Sequence, residues 1–145
     1  MPMRVHRHYD RLPQADRGSV VAIGNFDGVH RGHRAVIGAA LKRARKLKRK
    51  AAALTFAPHP RLFLRPQDPL FQLSSERNKL RLLTATGLDG AVIMTFDAQL
   101  AATPAADFIE KVCLVAFFIA TAFFFVFLSR FFNLFQIHSC SILFQ

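Results

Sequence analysis

The stretch Val20-Val21-Ala22-Ile23-Gly24-Asn25-Phe26-Asp27-Gly28-Val29-His30-Arg31-Gly32-His33 decides how the rest of the chain is read. Its first four residues form a short, largely β-branched apolar run behind the turn signal Arg17-Gly18, the pattern of a buried strand. Gly24, Gly28 and Gly32 then recur at every fourth position of a loop. Residues 33–47 carry Val36, Ile37, Ala40, Leu41 and Ala44 at three- and four-residue spacing, which predicts an amphipathic helix. Strand, glycine loop and helix in this order are the opening unit of a parallel α/β sheet.

Downstream the same alternation continues. Residues 51–56 (Ala-Ala-Ala-Leu-Thr-Phe) predict a second strand, closed by Pro58 and Pro60. Residues 61–73 hold Pro66 and Pro69 and read as a long loop. Ser74 suits a helix N-cap, with Glu76 in the first turn, Leu80 and Leu83 on the inner face and a stop at Gly87. Residues 91–94 predict a third strand, and Thr103 caps a helix that begins with Pro104, where the missing N–H costs nothing. Strand and helix alternate three times. That order predicts an α/β fold with a Rossmann-like parallel sheet and right-handed crossovers.

In such a sheet, ligands bind beyond the carboxyl ends of the strands, where loops enter helices. The 24–33 loop lies there. Its glycines permit positive φ and close backbone approach, the unpaired N–H groups of the helix start favour an anion, and His30 and His33 add ring N–H donors. Together these parts suit a polyphosphate. No P-loop lysine is present and the spacing is not GxGxxG. The plainer reading is an ordinary strand-to-helix turn with incidental histidines, which two histidines, three glycines and an aspartate make a poor fit. His30-x-x-His33 is also half a metal site, but no cysteine or further histidine has a helpful spacing, so no metal ligands are assigned.

Gly24-x-Phe26-Asp27-Gly28-x-His30-x-Gly32-His33 resembles the HxGH signature of the nucleotidyltransferase superfamily. Joined to Thr55-Phe56-Ala57-Pro58-His59-Pro60, it resembles the FMN adenylyltransferase module of bifunctional FAD synthetases, in which a riboflavin kinase domain follows. Gly87-Leu88-Asp89 and Phe96-Asp97 extend the likeness over residues 17–112. The resemblance implies transfer of AMP from ATP to FMN, giving FAD and pyrophosphate with Mg2+. It implies His30 and His33 as catalytic residues. Gly24, Phe26, Asp27, Gly28, His30, Gly32 and His33 would form the ATP-binding set, and Pro58, His59 and Pro60 would stand on the flavin side. Without the resemblance, His59 reads as a solvated turn histidine. Alternatives are another HxGH enzyme of the cytidylyltransferase kind, or a non-catalytic nucleotide-binding or membrane-associated remnant.

The chain divides into a 1–16 N-terminal extension, a partial FMN adenylyltransferase domain over 17–112 and an anomalous tail over 113–145. Residues 1–110 carry 18 of the 20 basic residues and all 9 acids, whereas 10 of the 16 phenylalanines lie between Phe117 and Phe144. The family's next strand and its Gly-x-Asp-Phe-x-Phe-Gly loop give way to an apolar run over 112–128, read as helical. A frameshift or fusion explains that abrupt change better than a selected membrane anchor. The total of 145 residues fits one domain. Two cysteines exclude a disulfide scaffold, and the polar start MPMRVHRHYDRL argues against a secretory signal, so the cytoplasm is expected. The net charge of +11 favours polyanionic ligands. The basic run 42–50 contains no aromatic on which a base would stack, so it reads as a solvated helix face and no nucleic-acid partner is assigned.

Overall fold

A computed structural model describes residues 2–67 and 70–112 and the backbone of 113–114 and 117–118. The chain adopts the expected α/β architecture. In chain order its elements are β1 (Arg4–His6), β2 (Ser19–Ile23), α1 (Arg31–Leu47), β3 (Ala51–Ala57), α2 (Pro60–Leu64), α3 (Glu76–Thr84), β4 (Gly90–Thr95), α4 (Ala98–Ala101), α5 (Ala105–Phe108) and β5 (Phe117–Phe118). The strands lie in the order β1-β4-β3-β2-β5, and every pairing is parallel.

β2 is buried at all five positions and β3 at its first six, as near-continuous apolar strands covered on both faces should be. The period-two alternation of a strand sorts their side chains into two cores. Val21, Ile23, Leu54, Phe56, Val92 and Met94 face one side, where Leu12, Phe108 and Val112 cover them. Val20, Ala22, Ala51, Ala53 and Ala91 face the other, under Ile37, Ala40 and Ala44 of α1 and Leu83 of α3. Small strand residues on this second face give the two helices a shallow floor to pack on.

Several boundaries differ from expectation. The first sixteen residues, expected to lie outside the domain, supply an edge strand, with Arg4 opposite Gly90 and His6 opposite Val92. Asp16 anchors that segment by accepting hydrogen bonds from Arg4 and from Lys50 at the foot of β3. Within the expected 61–73 loop, α2 forms because Pro60 fits a first helical turn and His59 Nδ1 accepts the Arg61 N–H at 3.1 Å. Ser75 rather than Ser74 caps α3, since the Ser74 hydroxyl is already hydrogen-bonded to Asp27. Pro104 stands at the N-cap of α5 instead of inside it, and the Thr103 hydroxyl donates to the Gln99 carbonyl behind it. Asp97 caps the short α4, which the sequence pattern did not indicate.

Of the apolar tail, the backbone of Phe117–Phe118 runs as a strand paired with Ser19–Val20 rather than as the expected helix. Val112–Leu114, at the start of that run, are helical as expected and end a π-helix over Ile109–Leu114; residues 115–116 and 119–128 lie outside the described residues. Among the described residues, no helix is long and apolar enough to cross a membrane.

Candidate functional site

β2, β3 and β4 follow one another to one side of the sheet, whereas β5 lies on the other side of β2. The strand order therefore reverses at β2, and the crevice beyond the carboxyl end of such a strand is where open α/β sheets bind ligands. The 24–33 loop leaves β2 at this point. Gly24 N–H donates to the Leu54 carbonyl at 3.0 Å, which continues the β2–β3 ladder by one residue. The chain then turns sharply: Phe26 has φ 51°, Gly28 φ 67° and Val29 φ 42°, all in the left-handed region.

Two devices hold this conformation. Phe26 points down into the core, 1% exposed, and lies edge-on to His33 with ring centroids 5.3 Å apart. Asp27 points sideways to the segment before α3. Its Oδ1 accepts the Ser74 N–H and the Ser74 hydroxyl, each at 2.8 Å, and its Oδ2 accepts the Leu73 N–H at 2.9 Å. The Ser74 oxygen accepts in turn from Gly28 N–H at 3.0 Å. Burial pushes the Asp27 carboxyl up, but hydrogen bonds from Leu73 and Ser74, together with nearby His59, outweigh it and leave it below the usual carboxylate value. Phe26 and Asp27 thus shape the loop from beneath and beside it.

His30 ends the turn and caps α1, its Nδ1 accepting the His33 N–H at 3.4 Å. With Nδ1 engaged in the cap, Nε2 is the nitrogen of the exposed His30 ring left for a ligand. The two imidazoles stack with centroids 3.6 Å apart and planes 21° from parallel. Gly32 makes room for this arrangement, because a Cβ there would stand 3.1 Å from His30 Cε1. His33 is half-buried. Burial, and then His30 beside it, depress its pKa to about 4 against a weaker opposing pull from Asp27, so the ring is neutral at pH 7. Its Nδ1 is buried without a hydrogen-bond partner, as is Asn25 Oδ1. Such atoms are usually satisfied by a bound molecule or ordered water.

Pro58, His59 and Pro60 lie at the carboxyl end of β3, beside the loop. The Nδ1 of His59 is occupied in capping α2. Its pKa is lowered mainly by burial and further by Lys79 and Arg61, with Asp27 opposing.

Lys79, which sequence reasoning missed, packs beneath the two strand exits that carry the loop and the Pro58–Pro60 turn. It is 9% exposed, and its Nζ donates to the Asn25 carbonyl at 3.2 Å, Thr55 Oγ1 at 3.3 Å and the Phe56 carbonyl at 3.4 Å. The available signal was its spacing: it stands four residues before Leu83, on the inner face of α3.

A parallel sheet with a glycine loop at its strand-order reversal, ending in two stacked imidazoles at a helix start, defines a Rossmann-like α/β domain of the HxGH type. Comparison with known proteins makes this specific. The FAD synthetase family profile matches residues 12–123, and the chain belongs to that family. It is 39% identical over 110 residues to the bifunctional riboflavin kinase/FMN adenylyltransferase of Escherichia coli K12, covering 74% of this chain and 35% of that one. It is 40% identical over 109 residues to a putative enzyme of the same name from Geobacillus thermodenitrificans, covering 75% of this chain and 58% of the relative. The chain thus spans about a third to somewhat over half the length of these relatives. A solved structure described as a macrolide-efflux protein from Streptococcus pneumoniae shares the fold, with a TM-score of 0.64 and 26% identity over 76% of this chain and 36% of that one.

Proposed function

We propose that this chain is the adenylyl-transferring part of an FAD synthetase, moving AMP from ATP to FMN. One observation carries the proposal: His30 and His33 stack at the start of α1, at the sheet's reversal point, with the His30 ring exposed and a buried His33 ring nitrogen unpartnered. The ATP triphosphate would lie across the loop, against the first turn of α1. A phosphate oxygen of FMN attacks the α-phosphorus, the bond from that phosphorus to the bridging oxygen breaks, and pyrophosphate leaves with the electron pair. No protein nucleophile is needed.

His30 and His33 are the catalytic residues on this reading, donating to phosphate oxygens as negative charge grows. Gly24, Gly28 and Gly32 keep the backbone close to the ligand. Phe26 and Asp27 contribute by fixing the loop's shape, and Pro58, His59 and Pro60 border the flavin side. Among the described residues, no three His, Cys, Asp or Glu side chains gather around a cation site, and both Asp27 oxygens are hydrogen-bonded. The donors present do not fit a protein-held Mg2+. A cation accompanying ATP would be held by phosphates and water.

The unit extends over 17–112 together with its β1 edge, and the cytoplasm, with its ATP supply, suits this activity. The test is titration calorimetry with ATP, CTP and FMN, paired with chromatographic detection of FAD. ATP binding with FAD formation supports the proposal. ATP binding without FAD reduces the chain to a nucleotide-binding module, preference for CTP moves it to the cytidylyltransferase kind, and failure to bind any nucleotide refutes it.

A further inference from the structure

Lys79 carries a consequence beyond the loop itself. Its ammonium is buried, and burying a cation costs free energy even when hydrogen bonds and distant charges return part of it. Burial is the main cause of its lowered pKa, with Glu76 and Asp27 opposing. Each of its three N–H donors has one acceptor, at 3.2–3.4 Å, which satisfies the group without making it a strong source of stability. An apolar residue of similar length would fill the same volume at lower desolvation cost. What the ammonium does, and a methyl cannot, is hold two backbone carbonyls that belong to different strand exits.

Those exits lead to the two halves of the site. The Asn25 carbonyl opens the loop that ends in His30 and His33, and the Phe56 carbonyl lies two residues before the Pro58-His59-Pro60 turn. Thr55 joins the clamp twice, donating its hydroxyl to the Asn25 carbonyl at 3.1 Å while accepting from Lys79. Both exits are thereby fixed to α3, the helix that follows the Leu73–Ser74 anchor of Asp27.

We propose that Lys79 is a positioning residue, its buried ammonium clamping the carboxyl ends of β2 and β3 so that the His30/His33 loop meets the triphosphate in one geometry. The proposal rests on the reading of that loop as the ATP site. It is tested on the full chain by calorimetric ATP binding and thermal unfolding, using Lys79→Met, Lys79→Arg and Thr55→Val. Lys79→Met should melt at or above the parent temperature yet bind ATP about tenfold more weakly, comparable to losing one hydrogen bond. Lys79→Arg, which keeps the charge and donors, should recover most of that affinity.

A purely structural lysine would instead lower melting temperature and affinity together, with no recovery in the arginine variant, and that outcome overturns the proposal. If Lys79→Met does not fold, Thr55→Val decides, since it removes the hydroxyl between ammonium and loop: weaker ATP binding with parental melting supports the clamp, and unchanged binding overturns it. Parent and Lys79→Met binding ATP equally well would defeat the clamp while leaving the ATP site standing. A parent chain that does not bind ATP would remove both.

Discussion

Replacing Asp27 by asparagine tests how the loop is held. The carboxylate accepts three hydrogen bonds from Leu73 and Ser74. Asparagine keeps one carbonyl oxygen, enough for the two Ser74 donors, but sets its amide NH2 against the Leu73 N–H. One bond is lost and two change from charged to neutral acceptors. Hydrogen bonds to a charged group contribute about 1.5–3 kcal/mol and neutral ones about 0.5–1.5. Leu73 is 65% exposed, so water takes up part of the first loss. The sum is a destabilisation of about 3–4 kcal/mol, or about 10–13 °C in melting temperature for a chain of this size. The effect should depend on pH in a defined direction. The folded carboxyl lies below its unfolded value, so its contribution is fully present above the unfolded pKa and disappears as pH falls through the folded one. Circular-dichroism melts of parent and variant should therefore differ at pH 7 and draw together as pH falls below the ordinary carboxylate value of 3.8. A variant melting within about 1 °C of the parent at pH 7, or keeping its full deficit in acid, would refute the idea that this carboxylate pins the loop.

Other perturbations follow from the same geometry. His30→Ala should still fold, with the loss of its α1 cap costing about 1 kcal/mol, but form FAD about 10²–10³-fold more slowly in a timed assay; parental turnover would remove His30 from the chemistry. Leu54→Ala opens a cavity at a fully buried position of β3 and should cost about 2–5 kcal/mol in denaturant titrations. His33, with a folded pKa near 4 against 6.5 unfolded, binds its proton more readily in the unfolded chain, so its share of stability is lost as pH drops from about 6.5 towards 4. Ring-proton NMR should show His33 titrating near 4 without ligand and at higher pH once a polyphosphate anion lies beside it.

The central strands, the glycine loop and α1 were legible because each carries one dominant signal: β-branched apolar runs, fourfold glycine spacing and helical periodicity. The HxGH resemblance was legible for the same reason, being local in sequence. What escaped is what depends on distant partners. Arg4-Val5-His6 has no apolar alternation and becomes a strand only because β4 offers a free edge. Pro60 looked like a breaker because the cap that makes it a helix start is a histidine ring, an unusual acceptor for that role. Phe26 and Asp27 were expected to shape the nucleotide pocket, but how they hold the loop was not legible: one packs into the core and the other is tied to a segment 46–47 residues away, a distance no local pattern encodes. Lys79 was overlooked because lysines are rarely buried, and its three acceptors come from two other strand exits.

The alanine face of the sheet has a mechanical meaning. Ala22, Ala51 and Ala53 bear on a helix of 17 residues, about 26 Å long, whose first turn carries the paired imidazoles. A branched side chain introduced near the foot of that helix would tip it like a beam on a raised pivot, and the far end would swing the rings away from their target. The plainest residues in the protein are therefore the gauge blocks that set its aim.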